Sequence, residues 1–382
     1  MSETAPDATY MRQALELARR GLGRTSPNPA VGALVVRDGE VVGRGFHTWV
    51  GVKHAEVLAL EEAGERARGA TLYVTLEPCV HHGRTGPCTE AIVAAGIRRV
   101  VVAVEDPNPA VHGAGLRRLA EAGIQVELAD SFRAEAEHLN EPFFHFMRTR
   151  RPLVTLKAAL TLDGRITTGL PNARWITSEQ ARAHVQQLRH LSDAVLTGIG
   201  TVLADDCLLT DRTGQERSRP LLRIVLDSQL RIPLESRLVT GARDDLLVVT
   251  TSAAPREKRQ ELEARGVEVV TADSPEGRTD WQALLGWLAE KRYLSLMIEA
   301  GARVNASALE AGIVDKVFFY YAPKIAAHAE ALPVAAFSSA GARRDVIRLR
   351  DLVLHRITPA EFAVEAWIVK EQERCSRESS KN

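Results

Sequence analysis

The chain predicts an α/β protein of two domains, on three observations. Its 382 residues exceed what one hydrophobic core usually serves. Strand-like and helix-like runs alternate along most of the length, the pattern of a largely parallel sheet covered by helices. An arginine-rich stretch, RTRRP at 148–152, divides those runs into two series. The expected domains are therefore 1–150 and 151–370, with 371–382 a polar tail too poor in apolar residues to order itself.

In the first series, YMRQALELARRG (10–21) has apolar residues at helical spacing and ends on Gly21, a natural helix stop. AVGALVVRDGEVVGRGF (30–46) reads as two β-rich runs folded back at Arg37-Asp38-Gly39-Glu40. HAEVLALEEAGERARG (54–69) is a helix and ATLYVTL (70–76) a strand. EPCVHHGRTGPC (77–88) is a loop, too rich in Gly and Pro for either. PCTEAIVAAGI is a short helix and RRVVVAVED a buried strand, and GAGLRRLAEAGI with QVELA repeats that step. AEAEHLNEPFFHFMRTRRP reads as one closing helix, halted before Pro152.

The second series gives strands at LVTLKAAL, DAVLTGIG, LLRIVLDS, DDLLVVTT, VEVVTA, SLMIEAG and DKVFFYYAP. Its helices are SEQARAHVQQLRHL, EKRQELEARG, WQALLGWLAEKR and RVNASALEAG. No G-x-G-x-x-G turn with a downstream acid stands out, so a standard dinucleotide-binding domain is not indicated.

Composition narrows the partners. Lys plus Arg and Asp plus Glu are 49 each, and this zero net charge lacks the basic excess that marks nucleic-acid or acidic-membrane binders. No apolar run of about 18 residues predicts a membrane span, and the start, MSETAPDATYMRQ, has no secretory pattern. A cytoplasmic location follows as the expectation. Thiols stay reduced there, so closely spaced cysteines point to metal or catalysis rather than a disulfide. Of the four cysteines, Cys207 and Cys375 stand alone and read as a packed residue and a tail residue.

Cys79 and Cys88 have eight residues between them and follow the H-A-E of His54-Ala55-Glu56. Two thiolates and an imidazole are a zinc donor set, and a catalytic zinc takes three protein ligands and leaves a fourth position for water. A carboxylate beside the metal but not bound to it, Glu56, can then carry protons. Residues two apart in a helix do not share a face, so His54 must precede the helix with non-helical angles. His81 and His82 are rival ligands, and a fourth protein ligand would make the zinc structural. H-x-E with P-C and a second cysteine opening a helix matches the zinc deaminase signature, with a longer cysteine spacing.

Together with TSPNPAVGALVV, TLYVTLEPC, EDPNPAVHGAGL, LTLDGRI, RWITS, TGIGTVLADD and IEAGARVNASAL, this motif closely resembles the bifunctional deaminase–reductases of riboflavin biosynthesis over nearly the whole chain. The resemblance implies a cytidine-deaminase-like three-layer domain followed by a dihydrofolate-reductase-like α/β domain. The first would hydrolyse an amino group from a diaminopyrimidinone carrying a ribosylamino 5′-phosphate. The second would use NADPH to reduce the ribosyl group to ribityl. It gives one Zn2+ to His54, Cys79 and Cys88, proton transfer to Glu56, and pyrimidine binding to Asn28 in the Ser26–Pro29 loop.

For the second domain the resemblance places Lys157 beside the reacting centre. NADPH falls to Trp175, Thr201, Asp205, Ser228, Gly301, Ala302, Arg303, Val304, Asn305, Ala306 and Ser307. Arg189, Leu209, Arg212 and Glu299 go to substrate, the two guanidinium forks suiting its phosphate. The partner is thus a small molecule, not nucleic acid or membrane, and a homo-oligomer is compatible with it. The chain departs from the family at Lys53, Gly86, Ala173, Cys207 and the AAHAEAL stretch at 326–332. Those departures keep an altered or inactive reductase open as an alternative, beside a nucleic-acid base deaminase whose second domain presents RNA.

Overall fold

A computed structural model describes residues 5–48, 53–81, 86–109, 111–170, 175–337 and 346–370. His82, Ala173 and the tail 371–382 with Cys375 lie outside them. The chain divides into two compact units, one of Met1–Arg150 with Glu216–Arg219, the other of Arg151–Gln215 with Pro220–Asn382.

The first unit runs α1 (Ala5–Arg19), β1 (Gly32–Arg37), β2 (Glu40–Phe46), α2 (Ala55–Ala63), β3 (Thr71–Val74), α3 (Cys88–Ala94) and β4 (Arg99–Val102). It continues with α4 (Ala114–Glu121), β5 (Gln125–Leu128), α5 (Arg133–Leu139) and α6 (Glu141–Thr149). Its sheet has the order β2-β1-β3-β4-β5, antiparallel at the hairpin and between β1 and β3, parallel from β3 to β5. Asp38 and Gly39 turn the hairpin with positive φ, 51° and 82°.

Glycines let both helical layers lie directly on strand backbone. A Cβ built on Gly32 would meet the Ala14 carbonyl of α1 at 2.0 Å. One on Gly43 or Gly45 would meet the Ala59 or Ala55 carbonyl of α2, also at 2.0 Å. Gly43 and Gly45 pair with Val35 and Ala33, whereas Gly32 lies one residue off that row. Successive strand residues face opposite ways, so α1 and α2 cover opposite faces of β1 and β2.

The expected single closing helix is two helices. Asn140 breaks it, with φ −110° and ψ 27°. Its buried amide accepts from the Ala30 N–H at 2.7 Å and donates to the Ala30 carbonyl at 2.9 Å.

The second unit runs β6 (Leu153–Thr161), α7 (Glu179–Leu191), β7 (Ala194–Gly198), α8 (Ile199–Asp205), β8 (Leu222–Leu226), α9 (Arg237–Thr240), β9 (Leu246–Thr250) and α10 (Arg256–Glu263). Then come β10 (Glu268–Thr271), α11 (Trp281–Glu290), β11 (Ser295–Ile298), α12 (Ala302–Glu310), β12 (Lys316–Ala322), β13 (Leu349–Arg356) and β14 (Phe362–Ile368). The sheet order is β10-β9-β8-β7-β11-β6-β12-β14-β13, parallel as far as β12 and antiparallel beyond. Val154, Leu196, Ile224, Leu247 and Ile298 of its central strands form one buried cluster with Leu284 and Leu288 of α11. Strands covered on both faces read as continuous apolar runs, which is why their sequences show so little alternation.

Three features of this unit differ from expectation. DAVLTGIG is strand only to Gly198, and α8 begins at once, because the apolar run continues through both. The four-residue α9 carries no periodic signal. β13 and β14 form a hairpin at the sheet edge, where Leu352, Val353 and Leu354 are all exposed. A strand exposed on both faces lacks the alternation that would reveal it.

Candidate active sites

His54 stands one residue before α2 with φ −75° and ψ 160°, extended backbone that turns its imidazole away from the helix. Cys79 follows β3 in the loop, and Cys88 is the first residue of α3. The His54 Nδ1 lies 3.1 Å from the Cys88 Sγ and 3.5 Å from the Cys79 Sγ, and the donor atoms of all three lie within 4.8 Å of one another. The Cys88 N–H, at a helix start, donates to the Cys79 Sγ at 3.4 Å. That contact favours a thiolate. His81 is exposed and is not a member of this cluster.

Glu56, in the first turn of α2, is 4 % exposed. Burial, then the neighbouring Cys79, pushes its carboxyl up to about 7, against the pull of His54. Cys79 is held down to about 4 by hydrogen bonding with Cys88 and with His54, and the same contact pushes the Cys88 thiol up. One anionic sulfur, one imidazole and a carboxyl poised near neutrality thus share a small volume. Such a set can bind a soft divalent ion and pass protons beside it.

Two neighbours were not singled out from sequence. His47 is buried, and its ring meets that of His54 edge-on at 5.3 Å. Its Nε2 lies 3.3 Å from the Asn28 amide nitrogen, and its Nδ1 lies 3.1 Å from the Lys53 carbonyl. Asn28 is thereby tied to the centre through His47.

Glu77, two residues before Cys79, is also buried. It accepts from the N–H groups of Asp106 and Gly113 at 3.1 and 3.0 Å, and of Gly115 and Leu116 at 2.8 and 3.3 Å. This carboxylate pins the loop after β4 against the loop that carries Cys79. Glu77→Gln replaces one acceptor oxygen with an amide donor facing N–H groups, at about 1–3 kcal/mol for each buried donor left unpaired. The expected result is an earlier thermal unfolding transition, and an unchanged transition would remove Glu77 from this role.

In the second unit Lys157 of β6, Arg189 of α7 and Glu299 at the end of β11 converge. Glu299 accepts from the Arg189 Nε at 2.7 Å and its second nitrogen at 3.0 Å, and from the Lys157 Nζ at 3.5 Å. Burial alone would push the Glu299 carboxyl up, but Lys157 and Arg189 outweigh it and hold the carboxyl down at about 2. Arg189 also donates to the Thr210 carbonyl at 3.0 Å, steadying the loop where Leu209 is buried with φ 52°. Arg212 on the same loop is exposed, its N–H bonded to Gln186 at 3.0 Å.

The residues expected to meet a dinucleotide lie mainly at the carboxyl ends of the parallel strands, where open α/β sheets bind ligands. A Cβ on Gly198, ending β7, would strike the Val304 Cγ2 of α12 at 2.6 Å, and one on Gly301 would come within 3.9 Å of the Thr201 Oγ1. The two glycine turns therefore abut. Ser228 follows β8, and its carbonyl accepts from the Thr251 hydroxyl at 2.8 Å. Trp175 is exposed under the Arg182 guanidinium, 4.8 Å from its ring centroid, and Asp205 is exposed at the end of α8.

Within 301–307 the side chains diverge. Arg303 is exposed, whereas Ala302 and Ala306 are buried. Asn305 is also buried and donates to the Val334 carbonyl at 2.7 Å, and Ser307 accepts from the Trp281 indole at 2.9 Å. This segment has helix-start backbone to offer a ligand rather than a row of free side chains.

Fold and site together define a cytidine-deaminase-type hydrolase domain joined to an α/β reductase domain. Residues 4–104 match the family described as the cytidine and deoxycytidylate deaminase zinc-binding region, and residues 152–340 match the RibD C-terminal domain. The riboflavin biosynthesis protein RibD of Actinobacillus pleuropneumoniae is 44 % identical over 323 residues, covering 85 % of each chain, and that of Bacillus amyloliquefaciens is 46 % identical over 314, covering 82 % of this chain and 84 % of that protein. The chain belongs to the RibD family of bifunctional deaminase–reductases of riboflavin biosynthesis.

Among solved structures, Acinetobacter baumannii RibD superposes with a TM-score of 0.84 at 38 % identity, over 96 % of this chain and 100 % of that one. A diaminohydroxyphosphoribosylaminopyrimidine deaminase/5-amino-6-(5-phosphoribosylamino)uracil reductase from Thermotoga maritima gives 0.79 at 34 % identity, over 95 % and 99 %. Among the described residues no helix is long and apolar enough to cross a membrane.

Proposed function

We propose that residues 1–150 hydrolyse a diaminopyrimidinone ribosylamino phosphate to the corresponding uracil and ammonia, and that residues 151–370 then reduce its ribosyl group with NADPH. The buried Glu56 beside the convergent His54, Cys79 and Cys88 carries the first half of this reading. The donor set fits zinc, since imidazole and thiolate are its usual ligands and the three atoms already cluster without another protein donor among the described residues. Zinc held there would supply the Lewis acidity that makes water nucleophilic at neutral pH. Glu56, buried beside those three residues, would take a proton from water and return protons to the ring nitrogen and the departing amine. Asn28, held by His47, offers an amide edge to the flat heterocycle.

In the second half NADPH, held at the strand ends by Thr201 and the Gly301–Ser307 turn, would be the source of hydride for the ribose C1′. Lys157 protonates the sugar oxygen as the ring opens, its ammonium paired with Glu299. Arg212, exposed on its loop, meets the substrate phosphate, while Arg189 serves the substrate through Glu299 and through the Leu209 loop. Thr201 and the helix-start backbone at Gly301–Ser307 would hold the cofactor's polar groups, with Trp175, Asp205 and Ser228 along the same strand ends. A small-molecule substrate rather than nucleic acid agrees with the chain's zero net charge, and a cytoplasmic working place agrees with the lack of a disulfide at Cys79, Cys88 and Cys207 among the described residues.

The test supplies the diaminopyrimidinone phosphate with NADPH and follows ammonia and cofactor oxidation separately. Stripping metal with a chelator is expected to stop ammonia release and leave reduction of already deaminated substrate intact, with zinc restoring the first. Ammonia release that survives complete metal removal would overturn the deaminase reading.

A further inference from the structure

Lys157 has a second partner besides Glu299. β6 and β12 run parallel with Phe318 opposite Lys157 and Tyr320 opposite Ala159. Side chains two apart on a strand share a face, so Lys157 and Tyr320 lie diagonally on the face covered by α7. The Lys157 Nζ sits 5.9 Å from the Tyr320 ring centroid, within reach of a cation–π contact. The ring is fixed: Tyr320 is 1 % exposed and packs with Ala181 and Val185 of α7, Phe318 and Ala363. Its hydroxyl lies 2.6 Å from the His184 Nδ1. Burial pushes the Tyr320 phenol up and lowers His184, so a neutral phenol donates to a neutral imidazole.

We propose that Tyr320 is a positioning residue for the reductase reaction, its ring face walling the Lys157 ammonium on one side while Glu299 holds it on the other. The inference rests on the reading of Lys157 as a residue of the reduction site. A lysine side chain has several rotatable bonds, and a single carboxylate at 3.5 Å leaves the ammonium free to swing. The aromatic wall removes part of that freedom without adding a hydrogen bond that the ammonium would have to break to reach substrate.

The experiment uses the full chain with its own metal, given already deaminated substrate to follow reduction and, separately, the diaminopyrimidinone phosphate to follow ammonia release. Tyr320→Leu is expected to lower kcat for reduction about tenfold, with the KM for NADPH and the rate of ammonia release unchanged. Tyr320→Phe, which keeps the ring and loses only the bond to His184, should stay within about twofold of the parent. Tyr320→Met, of similar bulk without a ring face, must repeat the loss if Tyr320→Leu does not fold. A normal kcat in the ringless variants, or a loss in Tyr320→Phe as large as theirs, overturns the proposal. Lys157→Ala separates the two claims. If it slows reduction while the ringless variants do not, only the role of Tyr320 falls, and if it leaves reduction unchanged, the reduction-site reading falls with it.

Discussion

Glu56→Gln is expected to stop ammonia release while reduction of already deaminated substrate continues at the parent rate. The substitution keeps the shape of the side chain and its place in the first turn of α2, and it removes only the capacity to take up and release a proton. General acid–base catalysis by a positioned group is worth about 10²–10⁴-fold, so the loss should lie in that range. The centre should otherwise persist, because His54, Cys79 and Cys88 contact one another directly. Metal content measured alongside activity distinguishes a lost proton carrier from a lost ion. Equal loss of both activities would show that the two units do not work independently.

Glu299→Ala is expected to cripple the second unit in two ways at once. Lys157 and Arg189, with side chains only 13 % and 11 % exposed, would be left as neighbouring cations without their shared anion. Removing one member of such a buried group costs about 3–5 kcal/mol, enough to bring the melting of this unit well below that of the parent, and reduction should fall with it.

The pH dependence has a definite sign. The Glu299 carboxyl titrates at about 2 in the folded chain against an ordinary value of 4.5. Its contribution to stability is therefore complete above the ordinary carboxylate range and is lost as pH falls through the folded value. Thermal unfolding followed from neutral pH downward should show the gap between parent and variant widest near neutrality and closing in acid. A gap independent of pH would mean that Glu299 is held by packing rather than by its two cations.

The convergence of His54, Cys79 and Cys88 was legible because its chemistry resides in rare residue types: with four cysteines in the chain, two close together before a helix, few alternatives survive. The need for extended backbone at His54 followed from helix geometry alone. Glu77 and His47 were not legible, since their roles depend on partners distant in sequence. The N–H groups that Glu77 accepts belong to residues 106–116, and Asn28 lies 19 residues before His47. Asn140 differs: Pro142 in the first turn of α6 is a local signal for a helix start there, and the pairing of Asn140 with Ala30 is the part that depends on residues distant in sequence.

In the second unit, parallel strands buried on both faces gave clear apolar runs, but the turns at the strand ends, without a glycine fingerprint, gave no local signal of a ligand. Family likeness supplied what periodicity lacked. The abutment of the Gly198 and Gly301 turns exists only once β7 and β11 are side by side.

The glycines of β2 have a mechanical consequence. Most helices ride on their sheet through a cushion of side chains that deforms under thermal motion, whereas the carbonyls of Ala55 and Ala59 bear on bare backbone at Gly45 and Gly43. With no side chain between them, the start of α2 sits directly on the hairpin. The hairpin therefore sets the height at which His54 and Glu56 enter the site, and a side chain added at Gly43 or Gly45 would lift α2 off the sheet and both residues with it.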